Sequence, residues 1–356
     1  MKTPGEPDIN IIFKTGILPK GDLNSISDVK GVTVGHETLD QGNARTGVTA
    51  ILPHQGNLFR DKVMAASHVI NGFGKSTGLI QIDELGTIET PIILTNTLSV
   101  GDAYKGLVQY MIEQNVEIGK TAGTVNPVVC ECNDGFLNDI RGLYVQPAHV
   151  SGAIQNSTAD FTQGDVGAGK GMSCYKLKGG IGSSSRIAAI GNETFTVGAL
   201  VLSNFGEMKD LTINGIKAGR YISRSLREER ENSPGSIIVV IATDAPLSER
   251  QLKRICRRVS AGISRTGSYI QNGSGEIALA FSTTNRIEHF SNNVILPLRM
   301  LNDEMIDPLF RATVEATEES ILNSMIYSSS VTGRNGNTRR SLKEFIADIP
   351  EINDPS

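Results

Sequence analysis

The sequence predicts an α+β protein in which two packed sheets are flanked by helices. Three observations carry this expectation. Strand-like segments outnumber helical ones and hold most of the apolar residues. One of them, Ile237-Ile238-Val239-Val240-Ile241, has no alternating polar residue, which marks a strand buried on both faces. Two segments toward the C-terminus, residues 248–263 and 304–327, repeat apolar residues at helical spacing. At 356 residues the chain suffices for one large domain or two ordinary ones. No internal repeat or low-complexity linker divides it, so residues 1–356 are read as one domain.

In order, residues 1–26 are rich in Pro, Gly and polar side chains and are expected to form an arm. Gly31-Val32-Thr33-Val34-Gly35-His36 and Thr46-Gly47-Val48-Thr49-Ala50-Ile51-Leu52-Pro53 alternate as short strands. Residues 62–71 are apolar without a decisive period. Pro91-Ile92-Ile93-Leu94-Thr95-Asn96 reads as a buried strand, and residues 103–114 as a helix on Leu107, Val108, Met111 and Ile112. Residues 127–135 form a strand that carries the Glu131 carboxylate into a turn, with a short helix over 136–140. Residues 194–203 are a strand that delivers Asn204-Phe205-Gly206 to its end. Residues 207–231 become progressively charged, as in an exposed connector or a frayed helix that cleavage can reach. Ser248 is placed to cap a helix that turns Leu252, Ile255, Val259 and Ile263 inward. Lys253, Arg254, Arg257 and Arg258 form its solvated side. Residues 276–283 make a further strand, entered through Asn272-Gly273-Ser274-Gly275, and the long helix over 304–327 precedes a polar tail.

Composition excludes several function classes. A net charge of −4 argues against nucleic acid or an anionic membrane as the main partner. No apolar run approaches the roughly 20 residues that span a bilayer. The opening Met1-Lys2-Thr3-Pro4-Gly5-Glu6-Pro7 lacks the apolar stretch of a signal peptide, so a cytoplasmic location is expected. Cys130, Cys132, Cys174 and Cys256 show no second pair with zinc spacing, and the five histidines are scattered. Reduced structural thiols and no metal or cofactor are expected. The 38 glycines, densest over residues 164–186, raise the question of a phosphate loop. Gly164 and Gly169-Lys170 fit that pattern, but Gly171 stands where a Ser or Thr must meet the metal. Nucleotide binding is therefore a remote alternative to glycine turns at a crowded centre.

Chemistry concentrates at Gly235-Ser236, where a polar turn-prone stretch, Asn232-Ser233-Pro234, meets the buried strand. The Ser236 hydroxyl reaches the Gly235 carbonyl through a five-membered ring, and Gly235 has no side chain to hinder it. Hydrolysis of the resulting ester makes Ser236 a new N-terminus. Its α-amine, with a pKa of about 7.7–8.0, is then a base beside its own hydroxyl, an established way to activate such a nucleophile. On local sequence alone, a plain turn before a core strand explains the same residues.

The wider sequence resembles the DmpA-like aminopeptidases of peptidase family S58. The resemblance rests on separated motifs in the family's order. They are Arg45-Thr46-Gly47-Val48-Thr49-Ala50-Ile51-Leu52-Pro53, Leu94-Thr95-Asn96-Thr97, Gly164-Asp165-Val166-Gly167-Ala168-Gly169 and Lys178-Gly179-Gly180-Ile181-Gly182. Asn204-Phe205-Gly206, the run from Gly235 to Leu247, Asn272-Gly273-Ser274-Gly275-Glu276 and residues 314–323 follow. It implies a four-layer αββα sandwich, resembling N-terminal-nucleophile hydrolases, that cuts itself between Gly235 and Ser236 into chains 1–235 and 236–356. It further implies Ser236 as nucleophile, Asn204 as oxyanion donor, Ser274 and Glu276 beside the nucleophile, and Glu131 as receiver of the substrate's amine. Where some members carry a tyrosine two residues after that glutamate, this chain has Asn133, which donates an N–H but is no acid near pH 7. The activity implied is a serine aminopeptidase acting on small N-terminal residues of peptides, amides or esters, β-amino and D-configured ones included. A related acyl transferase or amidase is the alternative, and a homotetramer of processed pairs is the implied assembly.

Overall fold

The β-branched run after Ser236 forms the middle of the molecule. The structure, a computed structural model, describes Phe13 and residues 15–226 and 235–349. Among these, the strands are β1 (Thr33–Leu39), β2 (Thr46–Leu52), β3 (Asp61–Gly72), β4 (Thr87–Ile88), β5 (Ile92–Asn96), β6 (Val128–Cys132) and β7 (Ser173–Cys174). They continue with β8 (Leu177–Lys178), β9 (Gly180–Ile190), β10 (Glu193–Asn204), β11 (Ser236–Thr243), β12 (Gly275–Glu288), β13 (Val331–Thr332) and β14 (Thr338–Arg339). The helices are α1 (Leu79–Leu85), α2 (Val100–Gln114), α3 (Pro147–Gln155), α4 (Ala218–Ser225), α5 (Glu249–Arg265) and α6 (Asp307–Ile326).

One sheet has the order β1-β2-β5-β6, the other β4-β3-β12-β11-β10-β9. All eight residues of β11 are buried. Its alternation shows why: Ile237, Val239 and Ile241 join a core with Leu252, Ile255 and Val259 of α5 and Leu309, Ile321 and Leu322 of α6. Ile238, Val240 and Ala242 turn the other way and meet Ile92, Leu94, Cys130 and Cys132 between the sheets. The far face of the smaller sheet, with Val48, Ala50, Ile93 and Val129, is covered by Ala103, Leu107 and Met111 of α2 and Val150 and Ala153 of α3. The layers are therefore αββα, as the resemblance implies. Burying one Ile or Val side chain contributes about 1.5–3 kcal/mol, so the five in β11 rival the net stability of a whole domain, about 5–15 kcal/mol. The strand is held from both sides and its register has little freedom to slip.

Most expected elements are present, and Ser248 caps α5 by accepting from Gln251 N–H while Gln251 returns a bond to the Ser248 N–H. The ambiguous stretch 62–71 is strand β3, paired antiparallel with β12. The expected helix over 136–140 is instead a turn, followed by a short 3-10 turn at Ile140–Gly142. Helix α3 was not anticipated. Of the charged connector, residues 218–225 are helical, while Arg227 to Glu231 and Asn232-Ser233-Pro234 lie outside the described residues. The four cysteines are free and buried, and burial pushes the Cys130 and Cys174 thiols up to about 12. Among the described residues no helix is long and apolar enough to cross a membrane.

The expected arm is corrected for residues 15–26, which are stitched to the core by a buried charge cluster. Arg186 Nη2 donates to Glu319 at 2.6 Å and to the Thr15 carbonyl at 2.6 Å, while its Nε reaches Glu315 at 3.3 Å. Glu319 also accepts from Lys20 at 2.7 Å and Asn24 Nδ2 at 2.6 Å. Helix α6 can bring these carboxylates so near β9 because that strand is made of small residues. A Cβ on Gly182 would stand 1.9 Å from the Ser320 carbonyl oxygen. Removing one partner of such a buried cluster leaves a desolvated guanidinium short of charge, so Glu319→Ala is expected to lose about 3–5 kcal/mol of stability. Urea unfolding checks this, and a loss under about 1 kcal/mol, the scale of a surface pair, would show that the cluster is not a fastening.

Candidate active site

Strand β11 lies between neighbours of opposite sense: β10 is antiparallel to it and β12 parallel. An antiparallel neighbour presents its end where β11 begins, and a parallel one presents its start. The row across the three strands is thus Asn204, Ser236 and Gly275. Gly235, one residue before the row, fits only as glycine, since a Cβ there would lie 2.5 Å from the Phe205 Cα and 2.7 Å from the Asn204 carbonyl oxygen. The Gly235 carbonyl accepts a hydrogen bond from Gly275 N–H at 3.2 Å. The bond that sequence marks for cleavage therefore has a donor already on its oxygen.

Ser274 and Glu276 flank Gly275 at the start of β12. Ser274 Oγ bonds Glu276 Oε1 and lies 2.6 Å from the Gln271 carbonyl. Glu276 Oε2 finds no hydrogen-bond partner among the described residues although it is buried. Burial pushes the Glu276 carboxyl above its ordinary range, against the pull of the Ser274 hydroxyl. The turn is fastened from β3, where Asn71 Nδ2 donates to the carbonyls of Gln271 at 3.0 Å and of Ser274.

Asn204 is held at both ends of its amide. Its Oδ1 accepts from Ser173 N–H at 2.8 Å, and its Nδ2 donates to the Asn133 carbonyl at 2.8 Å. Among the described residues the second Nδ2 hydrogen meets no acceptor, which suits it to an incoming oxygen. Asn204, Gly235, Asn133, Phe136 and Gln271 border a cavity of about 40 Å³. Asn133 serves this arrangement through its backbone. Its own side chain is exposed and accepts from Gly135 N–H at 2.9 Å, closing the turn after β6.

Strand β6 brings two further groups to the same edge. The Cys132 thiol lies against the Ser236 side chain and 3.4 Å from the Leu202 carbonyl. Glu131 is buried, with Oε1 accepting from Lys75 N–H at 2.9 Å and Oε2 from the Thr97 hydroxyl. No cation pairs with Glu131 among the described residues. A buried carboxyl group held by neutral donors alone lacks the counter-charge that buried charges normally have, which leaves a place for a cationic guest. Thr97 closes the Leu94-Thr95-Asn96-Thr97 motif, so its position was visible in the sequence while its role was not. Asn71 acts through its side-chain amide, Ser173 through its backbone N–H and Cys132 through its thiol, and no residue pattern pointed to them as site residues. The Gly164 loop does not free a cation for phosphate, because Lys170 is paired with Asp40 at 2.8 Å and Asp165 at 3.1 Å.

Comparison with known proteins gives the family and the fold. The peptidase family S58 model matches residues 24–339. The β-peptidyl aminopeptidase BapA of Sphingosinicella microcystinivorans is 37% identical over 346 residues, covering 90% of this chain and 86% of its own. A solved protein of Pyrococcus horikoshii OT3 superposes with a TM-score of 0.90 at 51% identity, over 95% of this chain and 97% of that one. The L-aminopeptidase D-Ala-esterase/amidase of Ochrobactrum anthropi, described as a prototype serine aminopeptidase and a variant of the Ntn-hydrolase fold, gives 0.87 at 36% identity, over 95% and 96%. The fold is thus the αββα sandwich of that hydrolase class, and the protein is an aminopeptidase. It belongs to peptidase family S58.

Asp134, next to Asn133, is buried with Oδ1 accepting from Asn138 at 3.0 Å and Oδ2 without a partner among the described residues. Burial lifts its carboxyl to about 7. A carboxyl raised in the folded state adds stability that is full below its unfolded pKa, about 3.9, and is lost as pH rises through 7. Wild type should therefore outlast Asp134→Asn by a wider margin at pH 5 than at pH 8. Urea midpoints at the two pH values read this directly, and an unchanged margin would contradict it.

Proposed function

We propose that the chain matures by cutting itself between Gly235 and Ser236, leaving residues 1–235 and 236–356 associated, and that Ser236 then serves as the nucleophile. The observation that carries this is the Gly235 carbonyl, adjoining Ser236 in the row between Asn204 and Gly275 and already bonded to the Gly275 N–H. In the cut, Ser236 Oγ adds to the Gly235 carbonyl carbon and the oxyanion grows toward Gly275 N–H. The C–N bond then breaks, and the nitrogen keeps the electron pair and takes the hydroxyl proton. Water hydrolyses the ester to the Gly235 carboxylate and restores the hydroxyl beside a new α-amine.

In the mature protein that amine accepts the Ser236 proton as Oγ attacks a substrate carbonyl. The free Nδ2 hydrogen of Asn204 faces the oxyanion, a contribution of about 2.7–4 kcal/mol in comparable sites. The leaving amine takes the proton, and water releases the acyl group from Ser236. Glu276, through its unpartnered Oε2, supports the Ser236 ammonium between turnovers, and Ser274 joins it to the hydroxyl. Glu131 receives the substrate's own ammonium. The narrow space beside Asn204 favours small N-terminal residues, and the likeness to BapA extends the proposed range to β-amino residues in peptides, amides or esters.

The processed pairs are proposed to associate as a tetramer through the segment after β12. There Val294 is 100% exposed and Ile295 84%, with Phe290, Leu298 and Met300 also open. An apolar stretch of this kind marks a protein contact surface.

Intact mass spectrometry of denatured wild type should give two fragments, the smaller starting at Ser236, and Ser236→Ala a single chain. Native spectra of the same sample should give four pairs, lost in Ile295→Asp. An uncut wild type after prolonged incubation defeats the maturation reading; a native mass of one pair defeats the assembly. For Glu131, Glu131→Ala should mature normally yet lose at least about 100-fold in kcat/KM on free-amine substrates, the loss of a buried charged contact. Equal turnover of N-blocked and free-amine substrates by wild type would remove its role.

A further inference from the structure

Lys178, in the glycine-rich region, is a buried amine that the proposed chemistry does not use. It is fully buried at the end of β8, and no ion pair to it occurs among the described residues. Its Nζ donates to three backbone carbonyls: Gly169 at 2.9 Å, Met172 at 2.9 Å and Gly179 at 2.6 Å. Three carbonyls could be satisfied by ordinary N–H groups without desolvating an ammonium, which costs several kcal/mol. Burial indeed brings the Lys178 ammonium down to about 7. An expensive charge in this place calls for a reason beyond holding a loop.

The reason lies in the peptide unit between Met172 and Ser173. Its carbonyl accepts from Lys178 Nζ and, at 3.0 Å, from Gly179 N–H. Its N–H is the donor to Asn204 Oδ1 at 2.8 Å. Whenever Lys178 is protonated, cation, peptide and amide stand in series. A cation on a peptide oxygen draws electron density from the nitrogen and makes the N–H a stronger donor. That N–H in turn polarises the Asn204 amide, so its Nδ2 hydrogens become more positive. Hydrogen bonds in such a chain reinforce one another where the dielectric is low.

We propose that Lys178 is a positioning residue for the reaction, acting through the Met172–Ser173 peptide to orient and polarise Asn204 toward the oxyanion. The proposal rests on the reading of Asn204 as the oxyanion donor. It assigns the lysine of the Lys178-Gly179-Gly180-Ile181-Gly182 motif to transition-state stabilisation and gives it no contact with substrate. Its signature is a loss in kcat with KM kept, because an oxyanion forms only after binding.

The test is a double-mutant cycle on the full chain, with Lys178→Met, Asn204→Ala and the double variant assayed on an aminoacyl p-nitroanilide. Activity is normalised to the mass-measured fragment beginning at Ser236, and thermal melts confirm folding. Lys178→Met should lower kcat about tenfold with KM within twofold, and Asn204→Ala about 100-fold or more. The double variant should lose no more than Asn204→Ala alone, since the relay ends at that amide. Losses that multiply, or a kcat unchanged in Lys178→Met, overturn the proposal. Where methionine blocks folding, Lys178→Gln, which keeps donors without charge, takes its place; where alanine at 204 blocks maturation, Asn204→Ser does. A wild type that neither cuts itself nor turns over the substrate defeats the underlying reading instead.

Discussion

The structure depends on a single constraint, the burial of β11 on both faces between one antiparallel and one parallel neighbour. Slipping the strand by one residue would exchange Ile237, Val239 and Ile241 with Ile238, Val240 and Ala242, sending each set into a core shaped for the other. The register is therefore fixed by packing along the whole strand, and its first residue inherits that precision. Mixed strand sense supplies the rest. The end of β10 and the start of β12 meet at Ser236, so an amide side chain and a main-chain N–H flank it without any loop having to reach in. A uniformly parallel or antiparallel sheet would not bring a strand end and a strand start to the two sides of one residue.

The molecule treats buried charge in two opposed ways. Around Arg186, Glu319 meets two cations and the Thr15 hydroxyl, Glu315 meets Arg186 and the Leu18 N–H, and the cluster fastens residues 15–24 to α6 and β9. At the candidate site, Glu131 is held by a backbone N–H and a hydroxyl, and Glu276 by one hydroxyl. Breaking one partner out of a paired cluster destabilises a fold, whereas a carboxyl group left with neutral donors has room for a cationic visitor. That contrast separates the structural acids from the candidate functional ones more sharply than burial does, since all four are buried.

Legibility in the sequence followed the same physics. β11 was visible because β-branched residues without alternation have few other homes, and α5 because its cap and its apolar spacing agree. Asn204 and Ser274 were visible as strand-end residues but gained roles only through likeness to a family. β9 was hidden: Ser183, Ser184 and Ser185 look like a loop, yet they form a buried strand whose hydroxyls and carbonyls bond β10 and α6. Residues 15–26 read as an arm because their partners, Arg186, Glu315 and Glu319, are distant in sequence. Ser173 could not be read at all, because it contributes a backbone N–H and any residue but proline supplies one.

The orphaned Glu276 oxygen gives the proposed maturation a direction. In the uncut chain, Oε2 is buried without a partner among the described residues, and the nitrogen of Ser236 is a peptide nitrogen with no charge to offer. A buried acceptor left unpaired costs about 1–3 kcal/mol, more when it is charged. Cleavage there would turn that nitrogen into an ammonium at the strand start, directly across from Gly275 and one residue out of register with Glu276. The same event that would create the base for catalysis would thus create the cation this carboxyl group lacks. Rejoining the chain would require the carboxylate to be stripped of that partner. The site would be strained toward its product before the first bond breaks, with the free energy of cleavage reinforced by an electrostatic match that only the mature chain can make.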